Sequence, residues 1–240
     1  MTVLIICLLF WTNLSYGLDW KKLHEKADSM NFADALADVR VRPDSIDDLY
    51  VLGLACLNFY KDKEAAGAFN KILNLDPKTI EAKWGVAEVL RRQHHPEKSE
   101  ELLSEVLEAD PDFSPAYITL AYIKYFQMNF NEAVRLTVKV LEQGERKVDR
   151  SNYVRAYLLY GGTKGMIAHY GGPISKVVNG TAVLSNLKKA EELQPDSAAV
   201  KFGLGSFYLL APPLAGKDTK KAEEYLKKAI ENAPHKTPAY

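Results

Sequence analysis

Chemistry needs reactive side chains at workable spacing, and this sequence offers few sets to weigh. His94 and His95 are adjacent, but neighbours on a helix point about 100° apart, whereas i, i+4 spacing brings two imidazoles onto one ion. Placed just before Pro96, the pair reads as solvent-exposed turn residues, and no metal site is assigned. The Gly-rich stretches YGGTKG (160–165) and HYGGPISK (169–176) fail the G-x-x-x-x-G-K-[ST] spacing of a phosphate loop, and neither follows a strand pattern. No Ser/His/Asp set lies in a supporting motif, and Cys7 and Cys56 pair with no histidine in a way that suggests covalent catalysis. Glu100–Glu101 and Glu223–Glu224 sit between apolar positions of helical segments, where a solvated face is their expected role. Asn179-Gly180-Thr181 has the glycosylation sequon, which matters only in a eukaryotic secretory pathway. The sequence therefore predicts no catalytic residue, no cofactor and no enzyme.

The elements that position these residues follow from an internal repeat. Pro43, Pro77 and Pro111 are spaced by 34 residues, each closing a helical-looking segment (VRPDS, LDPKT, ADPDF), and 34 is the length of a helix–turn–helix repeat. Ala65, Ser99 and Ala133 keep the same step, although Glu145 replaces the next expected proline. Proline cannot supply a helical N–H and biases the residue before it away from α geometry, so each one stops a second helix. Small residues such as Gly53, Ala65, Ala121, Ala133, Gly205 and Ala222 suit close helix approach, while Phe69, Leu103, Leu187 and Leu226 fill the space between pairs. The predicted pairs span about 19–42, 46–76, 80–110, 114–144, 151–194 and 197–233. The unit at 151–194 is expected to be irregular, with GGPISKVVNG (171–180) forming a long loop and a candidate ligand contact.

Residues 46–79 resemble the tetratricopeptide repeat (TPR). Leu49, Leu52, Gly53 and Cys56 occupy the W-x2-L-G-x2-Y positions, and Ala65, Phe69 and Pro77 those of A-x3-F and the closing proline. The last unit matches with Leu204, Gly205 and Tyr208, then Ala222, Leu226, Ala229 and Pro234, after about five extra residues in APPLAGKDTK. The resemblance covers roughly 46–240 and is similar to that of exported bacterial TPR proteins, some of which accompany periplasmic solute-binding proteins. It implies an all-α, right-handed superhelical solenoid whose first helices line a concave, protein- or peptide-binding groove. By register, the groove positions are Tyr50, Asn58, Trp84, Glu88, Arg91, Arg92, Tyr122, Tyr125, Phe126 and Phe202. Trp, Tyr and Arg suit a peptide-binding face. Tyr50 and Leu54 stand where a carboxylate clamp would have Lys and Asn, which disfavours chaperone tails. The chain ends at KTPAY, which looks like the opening of a further first helix, so either another chain covers the last apolar face, with self-association as one way, or the sequence is cut short. The alternative to a scaffold is a small-molecule or solute-system accessory binder that uses the irregular unit.

Composition bounds the partners. Hydrophobic residues at 47% and charged residues at 26% describe a chain that folds. Lys plus Arg and Asp plus Glu both number 31, with no long stretch of one sign, so neither nucleic acid nor an anionic membrane has an evident electrostatic partner. Val3 to Trp11 is an uninterrupted apolar run, long enough for a signal-peptide core but short of the roughly 20 residues that span a bilayer. Ser15 and Gly17 suit a cleavage site, so residues 1–17 read as a signal peptide, with an uncleaved anchor as the alternative. The mature chain, 18–240, is then exported to the periplasm or another extracytoplasmic space and meets a membrane only through an uncleaved N-terminus.

Overall fold

The computed structural model describes residues 18–232. The predicted signal segment and the KTPAY end lie outside the described residues. Twelve α-helices follow one another with no strand among the described residues: α1 (Trp20–Ser29), α2 (Phe32–Val41), α3 (Ile46–Asn58), α4 (Asp62–Leu75), α5 (Ile80–Arg92), α6 (Pro96–Ala109), α7 (Ser114–Phe126), α8 (Phe130–Gln143), α9 (Arg150–Tyr170), α10 (Pro173–Leu193), α11 (Ala198–Leu210) and α12 (Thr219–Glu231). From α3 onward they form hairpins that stack in chain order, with α3, α5, α7, α9 and α11 as the inner row. No described helix is long and apolar enough to cross a membrane.

The 34-residue period is written in the backbone. Tyr60, His94 and Met128, one per unit, all adopt positive φ (57°, 61° and 59°) and close the turn from inner to outer helix. His94 and His95 are exposed at that turn, as expected. Asp76 and Asp110, each just before a closing proline, accept from the amides of Lys78 and Asp112 at 3.0 and 2.9 Å. The small-residue logic is equally literal. A Cβ on Gly53 or on Gly85 would come within 2.5 Å of the Phe69 ring, which lies between α3 and α5, and Gly205 is pressed in the same way by Leu226.

Two elements depart from the regular stack. The stretch 171–180 is not a loop: only Gly171 and Gly172 separate α9 from α10, and Pro173 opens a helix that runs through the remaining residues of GGPISKVVNG. Proline at a helix's first position gives up an amide that has no intrahelical partner anyway, so it starts this helix instead of breaking the chain. Both helices of the pair are 21 residues, against 13 or 14 in α3 to α8. The other departure is α1, which packs on α3 and also on α9, more than a hundred residues away, instead of pairing with α2. It lies inside the curve made by the inner helices.

Candidate functional site: the inner face

The inner face is built from one side chain per turn of successive inner helices, and α1 fills its centre. Lys21 donates to the carbonyls of Glu145 and Arg146 at 3.0 and 2.9 Å, and Ser151 hydrogen-bonds Asp28. The turn held by Lys21 is where the closing proline gives way to Glu145. Trp20 meets the Phe113 ring at 5.3 Å, and His24 meets Tyr50 and Trp84 at 5.7 and 5.3 Å.

Within this contact runs a buried polar chain. Asn152 donates to His24 Nδ1 (3.1 Å) and to Asp149 (2.7 Å), which leaves Nε2–H of a neutral imidazole to donate to the Tyr50 hydroxyl at 2.9 Å. Burial lowers the His24 pKa, against the raising effect of Asp149, so the neutral tautomer fits its surroundings. On the other side, Trp84 donates to the Thr119 hydroxyl (3.0 Å), which donates to Glu88 (2.9 Å). Arg91 grips Glu88 with two bonds of 2.7 and 2.9 Å, and Arg155 reaches it at 3.4 Å while also bonding Asn152. Burial alone would raise the Glu88 carboxyl, but the two arginines and the Thr119 hydrogen bond overcome it and hold the pKa at about 2. Tyr122 is shared between Arg91 and Arg155, 5.1 and 5.4 Å from its ring.

This geometry corrects the groove expected from register. Tyr50, Trp84 and Glu88 are buried and serve the α1 contact, so no partner reaches them while α1 is docked. Arg92 binds within the stack, donating to the Leu57 carbonyl at 2.9 Å and pairing with Asp62 at 3.0 Å. Arg91 and Tyr122 remain half-buried and Asn58 lies at the edge. Tyr125 packs edge-on against Phe126 and Phe130. Phe126 and Phe202 stay open, at 71% and 62% exposure. Sequence reasoning missed His24, Thr119, Asn152 and Arg155. Thr119 had a visible signal, a hydroxyl inside the otherwise apolar run AYITLAY. His24 and Asn152 had none, because they meet only when α1 folds back onto α9.

Among the described residues no group of three or more His, Cys, Asp or Glu side chains is placed to hold a metal ion. The Asn179 sequon is helical, its amide donating to the Ser175 carbonyl while its oxygen accepts from Lys164. An open depression of about 320 Å³ lies between the α7–α8 turn and the α9–α10 tip, lined by Met128, Phe130, Ile167 and Tyr170 among others.

Stacked helical hairpins around a concave inner row define the TPR fold. Solved structures agree: Pseudomonas aeruginosa PilF aligns over 80% of this chain and 78% of its own at TM-score 0.54 and 16% identity. Yeast Tom70 aligns over 92% of this chain and 43% of its own at TM-score 0.56 and 16% identity. The Cut9 complex with Hcn1 gives TM-score 0.50 at 15% identity, over 91% of this chain and 47% of that one. At these identities the likeness establishes the fold and nothing finer. No protein-family model and no curated protein matches the chain.

Proposed function

We propose that this chain is a protein–protein interaction scaffold of the cell envelope, holding a peptide or protein partner along the open lip of its inner face. The observation that carries the reading is the exposure of the aromatic Phe126 and Phe202 on the inner helices α7 and α11, where Leu209 and Leu210 at the end of α11 are exposed as well. Aromatic side chains left in water on a concave row are what an interface core uses, and arginine beside them adds to it. Arg91, already charge-balanced by Glu88, contributes a planar surface there at little desolvation cost. The envelope half of the proposal rests on the apolar run Val3–Trp11 followed by Ser15 and Gly17.

Affinity capture from envelope extract tests the lip, using the parent and a Phe126→Ala, Phe202→Ala variant. Both residues are exposed, so the variant keeps its helicity. A partner kept by the parent and lost by the variant supports the reading; equal capture by both defeats it. Export is tested separately by sequencing the N-terminus of the chain recovered from cells. A start at Leu18 is expected, and an intact Met1 in the soluble cytoplasmic fraction would sink the envelope assignment.

A further inference from the structure

The α9–α10 hairpin outruns the other hairpins by about seven residues per helix, roughly 10 Å at 1.5 Å per residue. At its tip Ile174, Val177 and Val178 are 81%, 68% and 64% exposed. Their i, i+3, i+4 spacing puts them on one helical face, away from Ser175 and Asn179, which bond within the hairpin. Tyr170, also exposed, stacks on Phe130 beside them.

The charge pattern around this face is equally one-sided. From Tyr160 through Asn186 the sequence carries Lys164 and Lys176 and no Asp or Glu, a local imbalance that the even count over the whole chain hides; Arg155, Lys188 and Lys189 at the other end of the hairpin are paired with Glu88, Glu191 and Glu192. At the tip itself the titratable groups are Lys164, His169 and Lys176. The adjoining α7–α8 turn contributes Gln127, Asn129 and Asn131, all neutral. The nearest acids on α6 and α8, Glu100 and Glu132, are already held by Lys124 and Arg135.

We infer that the α9–α10 tip is a membrane-contact surface that seats Ile174, Val177 and Val178 among the acyl chains of an anionic bilayer, with Lys176 and Lys164 toward its headgroups. Aliphatic side chains ringed by Tyr and Lys and free of acids form the pattern that partitions into a membrane interface. A second copy is a poorer occupant. Three aliphatic side chains fall well short of the roughly 1,200 Å² that a stable interface buries, and copies meeting at their tips would oppose like charges.

The test uses the full chain carrying Cys7→Ser and Val177→Cys, labelled with an environment-sensitive dye. Cys56 stays unlabelled because it is buried and its thiol is pushed up to about 12. Phosphatidylglycerol vesicles are expected to shift the dye emission to the blue. Binding to neutral phosphatidylcholine vesicles should be roughly tenfold weaker or more, at about 1 kcal/mol per lysine near an anionic surface. A dye at Lys78→Cys, on the opposite edge of the solenoid, should not respond, and adding Lys176→Glu should weaken the Val177→Cys response to anionic vesicles. No response at position 177, an equal response to both vesicle types, or an equal response at position 78 each overturns the inference. A shift that grows with protein concentration without vesicles overturns it in favour of a second copy. None of these readings depends on Phe126 or Phe202, so this surface and the proposed lip stand or fall separately.

Discussion

Glu88 shows how a register position that reads as a ligand contact becomes an internal one. Its carboxylate is enclosed by Arg91, Arg155 and Thr119, and removing its charge leaves two guanidinium groups without a counter-ion. Breaking a buried pair from one side costs about 3 kcal/mol, so Glu88→Gln is expected to lose about that much stability in urea unfolding. The pH dependence has two steps with the same sign. His24 is held below its ordinary 6.5, so the unfolded chain binds the extra proton first and stability declines as pH falls below 6.5. Glu88, depressed from 4.5 to about 2, contributes fully above 4.5 and loses its contribution as pH falls toward 2. Urea titrations at pH 7.5, 5.5 and 3.5 should show both steps in the parent and a smaller lower step in Glu88→Gln, where Glu191, held low by Lys188 and Lys201 against its partial burial, still contributes. An undiminished lower step in the variant would mean that other carboxylates control it. What the sequence made legible at this scale was packing: Phe69, Gly53 and Gly205 do what their types imply. The polar partners were not, because His24 lies in the first pair, ahead of the residues that match the repeat, and its partner Asn152 comes from a helix far along the chain.

Among the elements, α10 is the instructive case. Gly171, Gly172, Pro173 and Gly180 lie close together, a composition that reads as loop, and only the first two act as one. Pro173 initiates the helix, and Gly180 is carried inside it by the contacts of its neighbours with α9. Tertiary packing therefore outweighs local propensity here, as it commonly does. A Cβ on Gly180 would meet nothing within 4 Å, so Gly180→Ala should stabilise the chain by about 1 kcal/mol. Urea midpoints report this, and an unchanged or lowered midpoint would count against a helical α10. By contrast, the pairs from α3 to α8 lie within a residue or two of their expected spans. Their prolines, small residues and 34-residue period agree with one another, and consistent local signals are what make a fold readable.

The whole molecule departs from a simple stack through α1. In an open solenoid each repeat touches only its neighbours, and stability approximates a sum of nearest-neighbour terms. Here α1 ties α3, the α6–α7 turn and α9 together through Trp20, Lys21 and His24, which should make most of the chain unfold as one unit. Trp20 is half-buried, so Trp20→Ala is expected to cost on the order of 2 kcal/mol, below the full-burial range. It should also split one unfolding transition into two and speed hydrogen exchange at the Trp84 indole. A single transition in the variant would show that α1 is not the tie. The same contact has a consequence in time. During synthesis α1 is among the first folded elements to leave the ribosome, yet its partners around Asp149 and Asn152 follow more than a hundred residues later. At 5–20 residues per second that is a delay of several seconds or more, during which α1 can already pack on α3 and meet Tyr50, Trp84 and Phe113 but lacks the bonds that Lys21 and His24 make with residues 145–152. The polar half of the α1 contact is thus the last to form, and a chain released before residue 150 would keep His24 buried beside Tyr50 without its Asn152 partner.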